Sequence, residues 1–209
     1  MEKPIKILLI EHETLVRVGM RTILSGQPDF QIVGETASVV EGIELFQRML
    51  PHVALISLRF PETCAVTEIE KFLKISPRAG IVVVASSAGD AEIARSLQEG
   101  ARGYVCKDVS EDELIAAVRA VASGKKYIPA GIARILSEHI GQETLTQAEK
   151  RILEMIARGL SNKEIARELN VSENTVKTHV KNIFDKIGVS DRTSAATTAI
   201  RRGLVRADL

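Results

Sequence analysis

The chain is short of cysteine, of long apolar runs and of net charge of either sign. Two cysteines, Cys64 and Cys106, in 209 residues exclude a disulfide framework and a structural zinc set. No apolar run approaches the roughly 20 residues that span a bilayer. Near the N-terminus only Ile7 to Ile10 is continuously apolar, and Glu11, His12 and Glu13 follow at once. That is too short and too soon acidic for a secretory leader. A cytoplasmic protein with no membrane partner is expected. The formal net charge is +1, which does not advertise a nucleic-acid partner, although an average over two domains can hide one. There is no internal repeat and no low-complexity segment. What is present, 45% apolar and 26% charged residues, is ordinary soluble globular composition.

The first part of the chain alternates strand and helix patterns. IKILLI (Ile5 to Ile10) is an aliphatic run of the kind buried on both faces of a parallel sheet. FQIVGE, VALIS, IVVVA and GYVCK read as four further strands. Helices are expected at about Leu15 to Ser25 with Thr14 as N-cap, after Ser38, at Thr67 to Ile75, at Asp90 to Glu99, and from Ser110 to about Ser123. Ser38 with Glu41 and Ser110 with Glu113 have capping-box spacing. Short connections and aliphatic strands predict an α/β fold, a doubly wound five-stranded parallel sheet, over residues 1–124. The carboxyl ends of its strands should gather Glu11, His12, Ser57, Ala85 and Lys107 around one shallow pocket.

The pattern then changes. Residues 125–143 read as a linker with some helix, and residues 144–209 show only helical periodicity. Thr146 with Glu149 and Ser161 with Glu164 are capping boxes, Ser172 opens a longer helix closed by Gly188, and Asp191 caps a fourth. An all-α domain of four helices is expected. Charge divides at the same place. Residues 144–209 hold 12 Lys+Arg against 8 Asp+Glu, net +4, and residues 1–143 hold 16 against 19, net −3.

Within the helical part, LSNKEIARELNVSENTVKTHVKNIFDKIGV has helix-turn-helix spacing, with the turn through Leu169, Asn170 and Val171. Val176, Val180, Ile183 and Ile187 form one apolar stripe, and Asn174, Lys177, Thr178, Lys181 and Asp185 lie opposite. A basic outer face of small and long polar residues suits the major groove. Lys163 on the preceding helix can hold a phosphate. On the residues alone, an ordinary bundle with solvated lysines stays open.

Resemblance closes that choice. LTQAEKRILEMIARGLSNKEIARELNVSENTVKTHVKNIFDKIGVSDRTSAATTAIRRGLV resembles the LuxR-type (GerE-like) helix-turn-helix almost end to end. GLSNKEIA, VSENTVKTHV and DRTSA fall on its signature segments, and LTQAE is a minor departure. The resemblance implies double-stranded DNA as partner and a third helix in the major groove. Lys177, Thr178 and Lys181 fall at base-reading positions, with Asn174, Thr175 and Lys163 beside them. It also implies a dimer surface on about Thr193 to Arg202.

ILLIEHETLVRVGM, PHVALISLRFP and EGARGYVCKD resemble a response-regulator receiver domain of flavodoxin-like fold. The whole chain is therefore similar to NarL/FixJ-type response regulators. In that family a carboxylate at the end of the third strand takes the phosphoryl group, an acidic pair holds Mg²⁺, a hydroxyl meets the phosphoryl oxygens, and a Lys neutralises charge. By position these are Ser57, the pair Glu11 and His12, Ala85, and Lys107. Only Lys107 is unchanged. Tyr104 matches the aromatic switch residue, and its partner hydroxyl is missing at Ala85. A serine hydroxyl cannot form an acyl phosphate, so a degenerate pocket, a pseudo-receiver, is expected.

The expected function is a transcriptional regulator, not an enzyme, acting as a homodimer and without aspartyl phosphorylation. The alternatives are an atypical regulator that is still phosphorylated, and a co-regulator that forms a heterodimer with another response regulator. No cofactor and no metal are expected. Imidazole and carboxylate at Glu11, His12 and Glu13 suit a transition metal, but neighbours on a strand end point to different sides, so only two should converge. Ser57 is read as capping its strand rather than as a kinase target. Cys106 is read as a small buried apolar residue rather than a low-pKa redox thiol.

Overall fold

Aliphatic runs without a polar face become the middle of a sheet, and they do so here. The computed structural model describes residues 3–61, 63–86, 89–138 and 145–205. The chain divides into two compact units.

The first unit is a five-stranded sheet. Strands β1 (Ile5–Ile10), β2 (Phe30–Thr36), β3 (Val53–Ser57), β4 (Gly80–Ala85) and β5 (Gly103–Cys106) lie in the order β2-β1-β3-β4-β5. Every pairing is parallel. The helices between them are α1 (Thr14–Ser25), α2 (Val39–Met49), α3 (Ile69–Ile75), α4 (Asp90–Gln98) and α5 (Glu111–Ala122). Ile7, Leu9, Leu55, Val82 and Val84 form a core with Leu114, Val118 and Val121 of α5. On α2 and α3, Phe46 meets Phe72 edge-on at 5.1 Å. Gly80 is required at the start of β4, because a Cβ there would stand 2.2 Å from the Val121 side chain. The strand order reverses between β1 and β3, so the carboxyl ends of those strands open the crevice in which such sheets place their sites.

Three local expectations change. Thr14 is the first residue of α1, and Glu13 holds the cap position without a side-chain cap bond, because its carboxylate is engaged elsewhere. Ser38 accepts from the Glu41 N–H, but the box does not close, since the Ser38 N–H donates to Thr36 Oγ1 at 3.1 Å and the Glu41 carboxylate accepts from the Thr36 hydroxyl. The Ser110 box is likewise half formed: Glu113 reaches the Ser110 hydroxyl, not its N–H. The expected end of this unit at residue 124 also moves. Tyr127 forms a parallel bridge to Gly103, accepts from the Tyr104 N–H and packs against the core, and the unit extends to Arg134. That segment covers the free edge of β5, which would otherwise expose unpaired backbone groups.

Helix α6 (Ala130–Glu138) occupies part of the expected linker, whose remainder lies outside the described residues. The second unit contains α7 (Gln147–Ala157), α8 (Asn162–Leu169), α9 (Glu173–Ile187) and α10 (Arg192–Arg201). Each begins on a side-chain cap, from Thr146, Ser161, Ser172 and Asp191 in turn. The boxes at Thr146 and Ser161 are complete. Gly188 ends α9 at φ +70°, a conformation glycine adopts without a Cβ penalty. Ile152, Leu153, Ile156, Ile165, Val176 and Ile183 are the centre of the core.

Candidate functional site

The helical unit carries the first candidate site. α8 stops at Asn170, which adopts the left-handed conformation at φ 55°, and α9 starts three residues later. The apolar stripe of α9 goes inward: Val176, Ile183 and Ile187 are buried and Val180 is partly buried against the same core. Asn174, Thr175, Lys177, Thr178, Lys181 and Lys163 are all exposed.

Exposure does not make these side chains equivalent. Lys177 pairs with Glu173 one turn earlier at 3.1 Å, so part of its charge is answered within the helix. Thr178 donates its hydroxyl to the Asn174 carbonyl at 3.1 Å, so that hydroxyl is already engaged within the helix. Thr175 is committed to the helix start, with its hydroxyl 2.8 Å from Ser172 Oγ. Lys181 makes no salt bridge among the described residues.

Two contacts hold this face in place. Arg192 at the start of α10 donates to Asn162 Oδ1 at 3.2 Å and to the Leu160 carbonyl, which fixes the start of α8. Burial lowers the Arg192 guanidinium from its ordinary value. Glu149 of α7 is buried and accepts from Lys186 of α9 at 2.9 Å. Burial pushes the Glu149 carboxyl up, but the bonds from Lys186 and Thr146 outweigh it, and the net direction is down. Neither support was singled out from the sequence. Arg192 lies in the DRTSA segment, but the Glu149–Lys186 pair is 37 residues apart and left no local signal.

The second candidate site lies at the carboxyl ends of β1, β3, β4 and β5. Ser57 is the last residue of β3, 2% exposed, and its hydroxyl donates to the Arg59 carbonyl at 3.2 Å. This is the strand-capping bond expected of it. Ala85 ends β4, buried and in register with Cys106. Tyr104 is fully buried in β5. Cys106 is half-buried, and burial, with the nearby Asp108 charge, pushes its thiol up, the opposite of what a reactive thiolate needs.

Lys107 follows β5 and binds carboxylates. Its Nζ lies 3.1 Å from Glu11 Oε2 and 2.7 Å from Glu13 Oε1. Glu11 is wholly buried, and its Oε1 accepts from the Glu13 N–H at 2.9 Å. The Lys107 hydrogen bond holds the Glu13 carboxyl below its ordinary value. Glu13 joins the pocket beside the expected Glu11, His12, Ser57, Ala85 and Lys107. Its partner lies 94 positions away, and only the strand order brings them together.

His12 corrects another expectation. Its Nδ1 is 3.2 Å from Glu11 Oε1 and its Nε2 is 3.9 Å from Glu13 Oε1. One donor atom from each of Glu11, His12 and Glu13 lies within 4.8 Å of the others. All three converge because the strand has already ended at Ile10 and the chain bends at His12, so the alternation of a strand no longer applies.

Mg²⁺ demands near-octahedral oxygen ligands and favours carboxylates and phosphate oxygens. Here an imidazole replaces one acid, and an ammonium already faces both remaining carboxylates. These residues do not fit Mg²⁺.

Comparisons with known proteins agree with this division of the chain. Residues 7–119 match the response regulator receiver domain, and residues 143–199 match the luxR family of bacterial regulatory proteins. The transcriptional regulatory protein MctR of Rhizobium johnstonii is 33% identical over 208 residues, covering 98% of this chain and 97% of that protein. The nitrate/nitrite response regulator NarL of Escherichia coli is 32% identical over 204 residues, covering 93% and 94%. The fold is that of RcsB from Salmonella enterica serovar Typhimurium, solved on promoter DNA with a phosphomimetic, at TM-score 0.75 and 24% identity, over 94% of this chain and 98% of that one. Among the described residues, no helix is long and apolar enough to cross a membrane.

Proposed function

Because this chain belongs to the response regulators that join a receiver domain to a luxR-type helix-turn-helix, and so is a DNA-binding transcriptional regulator, we propose that its receiver works without phosphorylation and that it binds DNA as a homodimer. The observation that carries the first part is the end of β3. Ser57 offers a neutral hydroxyl already donated to Arg59, where phosphoryl transfer needs a carboxylate nucleophile. Lys107, which would neutralise a phosphoryl group, is held by Glu11 and Glu13 instead. An incoming phosphoryl oxygen would have to displace two carboxylates from that ammonium.

The DNA-reading part rests on α9. Its inward stripe fixes the helix, and Asn174, Lys177, Thr178 and Lys181 face solvent together. Lysines at these positions reach guanine edges or phosphates. Thr175 supports the start of α9 through Ser172, and Lys163, exposed on α8, would hold a phosphate.

The test is paired. Full-length protein is incubated with Mg²⁺ and acetyl phosphate, its intact mass is recorded, and it is titrated against a DNA pool enriched for its sites. An unchanged mass and unchanged DNA affinity are expected. A phosphoryl adduct with tighter DNA binding overturns the reading. Sedimentation on the enriched DNA reports the dimer, and a footprint that needs a second regulator replaces the homodimer with a heterodimer.

A further inference from the structure

The turn between α7 and α8 is held by a residue far along the chain. Arg192, the first residue of α10, donates to the Leu160 carbonyl through Nη2 and to Asn162 Oδ1 through Nη1 at 3.2 Å. These two acceptors flank Ser161, the cap of α8. No backbone N–H reaches the Leu160 carbonyl among the described residues, so the guanidinium is its donor. Lys163 comes one residue after Asn162, exposed and in no ion pair among the described residues.

No acid draws Arg192 to this place. Asp191, its neighbour, gives Oδ1 to the Ser194 N–H at 2.8 Å and Oδ2 to the Ser194 hydroxyl at 2.6 Å. Glu164 turns Oε2 onto the Ser161 N–H and hydroxyl, both at 2.7 Å. The guanidinium is left with two neutral oxygens. What suits it to them is its planar fork, which meets two acceptors in a fixed geometry, unlike an ammonium on a flexible stem. Its charge adds to that of Lys163 at the amino end of α8, the end at which a helix favours anions.

In a helix-turn-helix the first helix crosses the DNA backbone while the second enters the groove. A phosphate contact sets register only if the group that makes it is itself fixed. We infer that Arg192 is a positioning residue for DNA binding: through Leu160 and Asn162 it sets the amino end of α8 so that Lys163 meets a phosphate, without touching DNA itself. The start of α10 thereby governs a backbone contact made 30 residues earlier in the chain. The inference rests on the phosphate role given to Lys163 above.

Affinities of the full chain for a DNA pool enriched for its sites, measured across salt concentrations, test this. Lys163→Ala should remove one contact's share of the salt dependence, so the loss of affinity between about 50 and 200 mM salt should shrink by about 3.5-fold. Arg192→Lys keeps the charge and gives up the fork. It should shrink that loss by nearly as much, and adding Lys163→Ala to it should change little, because the contact is already gone. With Lys181→Ala its effects should add instead. Asn162→Ala removes one of the two acceptors and should move the salt dependence the same way by less. Thermal unfolding checks that each variant is folded at the assay temperature, and Asn162→Ala carries the test if Arg192→Lys is not folded. Wild-type salt dependence in Arg192→Lys overturns the inference, since charge alone would then suffice. Full additivity with Lys163→Ala overturns it too, since Arg192 would then act on DNA separately. An unchanged salt dependence in Lys163→Ala overturns the phosphate role of Lys163 and the inference with it, a failure read from that single variant and distinct from the other two.

Discussion

The two units treat their charges in opposite ways. In the sheet unit, the pocket at the ends of β1 and β5 has closed on itself: Lys107 answers Glu11 and Glu13 within 3.1 Å, and Ser57 gives its proton to the chain two residues on. In the helical unit, the outer face of α9 leaves Lys181 to solvent, and a buried ion pair, Glu149 with Lys186, braces α9 against α7 behind the proposed reading face. A polar group spent inside the protein cannot also meet a ligand. The contrast separates a helix face left to solvent from a sheet pocket whose charges are answered within the protein.

The largest effect should come from removing the brace. Glu149→Ala deletes a cap and leaves Lys186 unpaired beside the core, a loss of about 3 kcal/mol from the helical unit, given that breaking buried pairs costs about 3–5 kcal/mol and Lys186 is partly exposed. Calorimetry of the full chain should show the helical transition falling while the sheet transition stays. If both fall together, the two regions are not energetically separate. The pH dependence has a definite sign. The folded Glu149 carboxyl titrates below its ordinary 4.5, so its contribution is complete above about 4.5 and is lost as pH falls through the folded value. Glu149→Gln should flatten that acid limb.

Next is the reading face itself. Lys181→Ala should cost specific DNA binding about 1–3 kcal/mol if a base edge is read. Lys177→Ala should cost less, because Glu173 already competes for that ammonium. If either residue holds only phosphate, sequence preference will stay and the salt dependence will flatten instead. Equal losses for both lysines would show that the Glu173 pair does not persist on DNA. Ser161→Ala, which removes the cap of α8, should lower the helical transition by about 1 kcal/mol.

Much of this contrast was legible before the fold was known. The strands were visible because IKILLI, VALIS and IVVVA carry no polar face, and the helices because Thr146, Ser161, Ser172 and Asp191 announce their starts locally. Resemblance supplied the site positions of both units. What stayed hidden was non-local or competitive. Glu13 reads as a cap neighbour until β5 brings Lys107 against it. Ser38 and Ser110 have box spacing, but Thr36 takes one partner and side-chain geometry the other. The EHE stretch does not follow the alternation of a strand, because the strand stops one residue earlier. Tyr127 looked like linker because a single bridge to Gly103 leaves no periodic pattern.

The smallest expected effect is the sharpest on the comparison. Ser57→Ala removes one buried hydroxyl whose described bond is to the Arg59 carbonyl, so it should cost the sheet unit about 0.5–1.5 kcal/mol, the net worth of a single hydrogen bond. DNA affinity, measured on the full chain at fixed salt, should not change. A pocket that still signals cannot behave this way, since its acceptor position would be linked to the binding state by whatever differential contact it makes there. A large loss of DNA affinity with normal folding would therefore mean that the end of β3 still reports to the helical unit, through a hydroxyl rather than a phosphoryl group. Indifference would leave Ser57 with a local role, ending its strand through the bond to Arg59.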